Sequence, residues 1–260
     1  MKVFLTSDLH LECDTKTSDV KIPECDLIVL AGDISHMGHA LKYASALAQE
    51  HAVPVIFVPG NHEYYSKDYV EQTALAREFS ADNVYVLMND TVEFDGVRFI
   101  GSTLWSDFSA GAKNDQWTMM QNRKFAGNYI NDFHVIKHSE SNNRRLKPEF
   151  VRDLNFEAMR YFEQQLDQGF DGTTIVVTHF SPSITLEDPQ FKGSPASPYF
   201  NANCDELIKE YEPDFWFFGH THSSVEATIG RTKIFANQYG YKHEWGKTGY
   251  REDLVIDVTK

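Results

Sequence analysis

Five apolar runs in this chain each end in a short cluster of aspartate, histidine or asparagine: Asp8-Leu9-His10, Gly32-Asp33, Gly60-Asn61-His62-Glu63, Thr178-His179 and Gly219-His220-Thr221-His222. An open α/β sheet gathers its functional loops at strand ends, so the pattern predicts ends that converge on one edge. In extended backbone, side chains two residues apart point the same way, and Asp8 can meet His10 as His220 can meet His222. The glycines ahead of Asp33, Asn61 and His220 suit sharp turns and let the backbone approach a bound group closely. No one cluster is large enough to hold an ion. Together Asp8, His10, Asp33, Asn61, His179, His220 and His222 offer seven oxygen or imidazole ligands, enough for two.

Short runs rich in β-branched and aromatic residues predict strands over 3–6, 26–31, 53–58, 84–88, 97–101, 173–178, 214–218, 233–236 and 254–258. Helical periodicity falls between several of them, over 38–51 and 67–79. A third helix opens at Lys147-Pro148-Glu149, with proline suited to the first turn, and carries Phe150, Leu154, Ala158, Tyr161, Phe162 and Leu166 on one stripe. Strand–helix alternation in the first half points to an α/β sheet, and the strand-rich second half adds meander character. No repeat or Gly/Ser linker divides the chain, which reads as one domain over 1–260. Residues 105–146, rich in Asn, Asp and aromatics, fit the alternation poorly and are expected to form an insertion or cap. The proline-rich stretch 181–203 is expected to be a long surface loop.

At 260 residues the chain can bury a large core. Its 24 Lys and Arg against 38 Asp and Glu give a formal charge of −14, a field that repels polyanions and argues against a dedicated binder of long nucleic acid. Cys13, Cys25 and Cys204 are odd in number and form no Cys-x-x-Cys pair, as expected in a reducing compartment. The N-terminus enters the first strand directly, leaving no room for a removable signal. No apolar run approaches the ~20 residues of a bilayer span. These features predict a soluble, cytoplasmic protein, and none sets an oligomeric state.

Carboxylate, amide oxygen and imidazole without thiolate suit Mn, Fe, Zn, Co or Ni rather than a calcium cage or a cysteine-type zinc site. Taken in order, Asp-x-His, Gly-Asp, Gly-Asn-His-Glu, a later His after an apolar strand and Gly-His-Thr-His resemble the calcineurin-like metallophosphoesterase superfamily. The stretch Gly-Ser-Thr-Leu-Trp-Ser-Asp-Phe, residues 101–108, resembles its small bacterial and phage members. The resemblance runs from Asp8 to His222. It implies an αββα sandwich, two mixed sheets flanked by helices, with a dimetal site at the strand ends. One metal would be held by Asp8, His10, Asp33 and His222 and the other by Asp33, Asn61, His179 and His220, with Asp33 bridging. In such centres the ions lie about 3.5–4 Å apart and hold a hydroxide that attacks phosphorus. His62 would sit beside the leaving group as general acid.

The implied activity is hydrolysis of a phosphate mono- or diester on a small molecule. Rival readings on the same site are a nuclease, a phosphoprotein phosphatase or a nucleotide-lipid pyrophosphatase, and from another class a non-catalytic scaffold. The chain also departs from the superfamily pattern. His36 stands where an aspartate commonly orients the acid histidine. Phe180 follows His179 where a second histidine is frequent. Tyr239 occupies the place of an arginine, for which Arg123, Lys124, Arg144, Arg145 and Lys242 are candidate replacements, each also readable as a solvated charge. Trp105, Phe108, Trp117 and Tyr129 either line a leaving-group pocket or pack the cap. Glu63 is expected at a turn, and Asp107 and Asp132 as cap or helix-end residues.

Overall fold

The computed structural model describes residues 1–13, 15–141 and 144–259, so residues 142 and 143 of the expected insertion lie outside it. Strands β1 (Lys2–Thr6), β2 (Leu27–Leu30), β3 (Val55–Phe57) and β4 (Val84–Val86) run parallel in one sheet, and the last strand of the chain, β11 (Val255–Asp257), joins β1 antiparallel. The second sheet has the order β5-β6-β7-β8-β10-β9, formed by β5 (Asp90–Phe94), β6 (Val97–Ser102), β7 (Thr173–Thr178), β8 (Phe215–Phe218), β9 (Val225–Ile229) and β10 (Thr232–Ala236). Its inner four strands are parallel and its two edges antiparallel.

The apolar runs are unbroken because both faces of the central strands are covered, as in buried parallel sheets. Val3, Leu5, Val29, Ile56 and Val58 of the first sheet share a core with Phe99, Ile175, Val177 and Phe217 of the second. The alternate residues Phe4, Ile28, Leu30, Phe57, Ile100, Val176, Trp216 and Phe218 pack with side chains of the flanking helices, among them Leu41, Leu47 and Phe162. Helices α1 (Met37–His51) and α2 (Tyr69–Glu78) lie on the first sheet's side and α5 (Pro148–Asp167) on the second's. This is the expected sandwich of two mixed sheets between helices.

Two strands escaped the sequence reading, β5 and β9. Both are edges whose residues alternate between half-buried and exposed, so neither has the apolar run that marks the inner strands. The better signal was the turn beside each: Asp95-Gly96 joins β5 to β6 with φ of 47° and 77°, and Gly230 with φ 59° opens the turn from β9 to β10.

Between β6 and β7, residues 105–146 contain α3 (Gln116–Tyr129), capped by the Asp115 side chain, and α4 (Asp132–Val135). The stretch 181–203 is less irregular than expected: it holds 3-10 turns at Ile184–Leu186 and Pro189–Phe191 and the one-turn helix α6 (Ser197–Phe200), which packs against α3. A seventh helix, α7 (Asp205–Tyr211), leads into β8. No helix among the described residues is long and apolar enough to cross a membrane.

At Gly101 of β6 the packing leaves no room for a side chain. A Cβ there would lie 2.4 Å from Leu87 Cβ and 3.0 Å from Val58 Cγ2. Gly101→Ala is therefore expected to lower unfolding free energy by about 1–3 kcal/mol in urea titrations, the usual cost of overpacking. A neutral effect would show that the sheets can part here.

Candidate metal centre

All five clusters leave the C-terminal ends of parallel strands. Asp8 and His10 follow β1, Asp33 follows β2, Asn61 and His62 follow β3, His179 follows β7, and His220 and His222 follow β8. The first sheet thus supplies the oxygen donors together with His10 and His62, and the second supplies imidazoles only. Five of the expected ligands, Asp8, His10, Asp33, His220 and His222, have φ between 48° and 75°, a left-handed backbone that costs an L-residue roughly 1–2 kcal/mol each. Such conformations persist only where neighbours over-determine them.

The main clamp is Glu63, fully buried, whose carboxylate accepts N–H bonds from Gly60 (2.5 Å), Ile34 (2.8 Å), Asp33 (3.0 Å) and Ser35 (3.2 Å). It locks the loop after β2 to the loop after β3. Asp33 Oδ1 in turn accepts the His62 N–H at 2.8 Å. Asp8 accepts the His220 N–H at 3.0 and 3.2 Å with its two oxygens, joining the first sheet to the second. Gly60 is required in this packing, since a Cβ there would stand 2.2 Å from Asp33 Oδ1 and 2.8 Å from the His179 ring.

Two carboxylates and a backbone carbonyl hold the imidazoles from behind as acceptors. His10 Nδ1 is 3.1 Å from Glu12 Oε1, His222 Nδ1 is 2.6 Å from Glu244 Oε2, and His179 Nδ1 is 2.8 Å from the Ala31 carbonyl. Each acceptor fixes the proton on Nδ1, so each Nε2 faces inward with its lone pair. The inward atoms are crowded with like partners. His10 Nε2 and His222 Nε2 are 3.0 Å apart, and His179 Nε2 faces Asn61 Oδ1 at 3.1 Å and Asp33 Oδ1 at 3.3 Å. His220 Nε2 is buried with no hydrogen-bond partner. Lone pairs gathered in this way need a cation among them, and a proton on one nitrogen satisfies only one. The donor set therefore fits divalent metal, and three groups have ligand atoms mutually within 4.8 Å: Asp8–His10–His222, His10–Asp33–His62 and Asp33–His179–His220.

The protonation balance, before any cation is counted, agrees with that reading. Burial opposes charge on Asp33, but His179, His62 and His10 outweigh it and hold the carboxyl well below its usual value. Burial and the neighbouring His179 push His220 well down, leaving it neutral, and burial likewise lowers His10. His179 and His62 go the other way: burial lowers each, but Asp33 and hydrogen-bonded carboxylates raise both to about 9. The proton so implied on His179 Nε2 occupies the place a cation would take.

Asn61 brings its amide in through a residue the sequence left as a helix end. Asp132, at the start of α4 and 1 % exposed, accepts the Asn61 Nδ2–H at 3.2 Å, the Tyr65 hydroxyl at 2.6 Å and the Tyr199 hydroxyl. That bond turns Asn61 Oδ1 toward His179 and the cluster. His220 is oriented by rings, with Phe180 stacked at 3.9 Å and Phe200 at 4.7 Å between centroids. The unexpected Phe180 thus has a place.

His62 has both ring nitrogens engaged: Nδ1 is 2.9 Å from Glu12 Oε1, and Nε2 is 3.2 Å from the Tyr241 hydroxyl and 3.9 Å from Asp33 Oδ2. Glu12 is the functional residue the sequence reading missed. It is the acid two residues beyond His10, so the same two-residue alternation that paired Asp8 with His10 pointed to it. His36 instead forms the N-cap of α1. Tyr239 packs on Trp245 and Tyr250, away from the site, and it is Tyr241 that enters, stacked on His10 at 4.2 Å.

The cluster opens into a cavity of about 480 Å³ walled by residues after α3 and around α6. Of the four aromatics considered for it, only Tyr129 lines it. Trp105 and Phe108 are buried in packing and Trp117 is exposed. None of Arg123, Lys124, Arg144, Arg145 and Lys242 reaches the wall.

The chain is 28% identical over 282 residues to uncharacterized protein L509 of Acanthamoeba polyphaga mimivirus, covering 97% of this chain and 95% of that one. It is 23% identical over 187 residues to the lariat debranching enzyme of Saccharomyces cerevisiae, 71% of this chain but 42% of that one. Among solved structures it resembles the phosphopantetheinyl hydrolase PptH of Mycobacterium tuberculosis with a TM-score of 0.74 at 16% identity, over 96% of this chain and 93% of the other, a likeness of fold. The calcineurin-like phosphoesterase model matches residues 1–224. With that match covering the whole cluster of aspartates and histidines, the chain belongs to the calcineurin-like phosphoesterase family.

Proposed function

We propose that this protein hydrolyses a small phosphate ester, mono- or diester, with two divalent cations. One is assigned to Asp8, His10, Asp33 and His222, the other to Asp33, Asn61, His179 and His220. The observation that carries this is the position of Asp33, whose ligand atoms lie within 4.8 Å of His179 and His220 and also of His10 and His62. Nitrogen and oxygen donors without thiolate suit Mn, Fe, Zn, Co or Ni. Such cations, when bound, neutralise phosphoryl oxygens and bring the pKa of water toward neutrality. A cytoplasmic setting is kept as part of the reading, on the cysteine usage.

His62 is assigned the proton for the leaving oxygen. Its Nδ1 is tied to Glu12 and its Nε2 lies beside Asp33 and the Tyr241 hydroxyl, at the mouth of the cavity. Glu12 orients it, in the place of the missing aspartate, and by sharing one oxygen with His10 keeps the acid in register with a metal ligand. The Tyr241 hydroxyl steadies the Nε2 side until a substrate oxygen replaces it.

A second reading has one specific support, the name of the yeast relative, a lariat debranching enzyme. It places a nucleic-acid phosphodiester among the candidate substrates. The formal charge of −14 weighs against long polyanions. Gel assays on linear and branched RNA decide between the two.

Asp33→Asn is expected to lose turnover and metal content together, measured by elemental analysis and by loss of the rise in Tm that added Mn²⁺ or Zn²⁺ gives the parent. Retained activity in a metal-stripped Asp33→Asn protein overturns the assignment. His62→Ala should keep its metal and lose roughly 10²–10⁴-fold in kcat. Glu12→Gln should also keep its metal, and its loss of kcat should be larger for alkyl esters than for p-nitrophenyl esters, whose departing oxygen needs no proton. Equal losses for both would make Glu12 a merely structural residue.

A further inference from the structure

The cavity beside the cluster has an unusual wall for a site that handles phosphate. Among the described residues it contains no lysine and no arginine, yet five carboxylates face it: Asp33, Asp132, Glu187, Asp188 and Glu244. Three of these are committed to the cluster or to holding its parts. The other two lie farther out, on the loop between β7 and α6. Asp188 caps the turn at Pro189–Phe191 through the Gln190 N–H, and Glu187, half-buried, enters no ion pair among the described residues. Two exposed aromatics also line the cavity, Phe191 at the end of that same turn and Tyr129 at the end of α3, 50% and 70% exposed.

A phosphate or carboxylate carried on the leaving group would meet no lysine or arginine here, and the imidazoles on the wall that can carry charge, His62 and His222, are already paired with Glu12 and Asp33 and with Glu244. Burying an anion unpaired is costly, and placing it beside carboxylates adds like-charge repulsion. Cations held by Asp33 and its neighbours would be committed to the reacting phosphoryl group and would leave this outer part of the wall without positive charge. An uncharged or cationic arm meets no such penalty, and its carbon skeleton can lie on Tyr129 and Phe191.

We infer that the cavity is a leaving-group site for an alcohol bearing no further negative charge, which makes the substrate a simple phosphate ester and excludes nucleoside diphosphates and other diphosphate esters. This rests on the phosphoesterase reading above and narrows it to a substrate class. It also gives Tyr239 a consequence: where similar sequences commonly carry an arginine, no lysine or arginine among the described residues reaches the cavity in its stead.

The test uses three phosphate esters of similar size, with a neutral (2-hydroxyethyl), a cationic (2-ammonioethyl) and an anionic (carboxymethyl) alcohol, each as monoester and as methyl diester, on the metal-loaded enzyme. Binding of the three matching methylene phosphonates is measured in parallel by calorimetry. The neutral and cationic members should exceed the anionic one by tenfold or more in kcat/KM and in affinity. Glu187→Lys with Asp188→Asn should shrink that ratio at least threefold. An anionic member that is turned over and bound as well as the others overturns the inference, as does a ratio unmoved by the double variant. Selective binding without turnover of any ester upholds this site while refuting the hydrolase reading, so the two failures are distinguishable.

Discussion

The carboxylate of Glu63 is the constraint on which the site's geometry hangs. It replaces water for four backbone N–H groups in two successive loops, so that the turn after β2 and the turn after β3 form one rigid unit. Asp33 is presented from that unit, and the His62 N–H is anchored on Asp33 in turn. Without such a clamp the left-handed backbone at Asp33 would relax, because nothing in the local sequence favours it. Burial raises the Glu63 carboxyl to about 8, with the Asp33 charge acting the same way, while the N–H groups oppose the shift. A group that only accepts hydrogen bonds is nevertheless best served as the anion, and a cation beside Asp33 would favour that form further.

The imidazoles of His10, His179, His220 and His222 and the amide of Asn61 are each held by a group behind them. Carboxylates hold His10 and His222, a carbonyl holds His179, stacked phenylalanines hold His220 and Asp132 holds Asn61. Outer partners of this kind set ring orientation and basicity in metal sites. Asp132 also accepts from Tyr65 and Tyr199, so the same carboxylate that turns Asn61 fixes the segment walling the cavity. The floor of the pocket and its roof are thereby one hydrogen-bonded assembly.

Much of this was legible in the chain. Inner strands are buried on both faces, so they announce themselves as apolar runs, and the clustered aspartates and histidines follow directly where those runs stop. The edges β5 and β9 were hidden because half of each strand meets solvent. Glu12 and Asp132 were hidden for a different reason. Each acts by contact with a loop distant in sequence, Asp132 reaching Asn61 across 71 residues and Glu12 reaching His62 across 50. At such a separation Asp132 looks like any surface acid until the fold brings it in, and only its two-residue spacing from His10 sets Glu12 apart. Gly240, with φ 76°, turns the chain between Tyr239 and Tyr241, so that Tyr241 enters the site while Tyr239 packs away from it.

The division of donors between the sheets carries a mechanical consequence. Asp8, Asp33 and Asn61 extend from one sheet and His179 and His220 from the other, and the only covalent path between Asp33 and His179 is a long excursion of chain. An ion held between them would act as a rivet through the seam of the sandwich, closing that excursion as a disulfide closes a loop. The halves could then no longer slide or peel separately. The resilience of the whole molecule would be set at the edge where its chemistry takes place, rather than in the hydrophobic layer between the sheets.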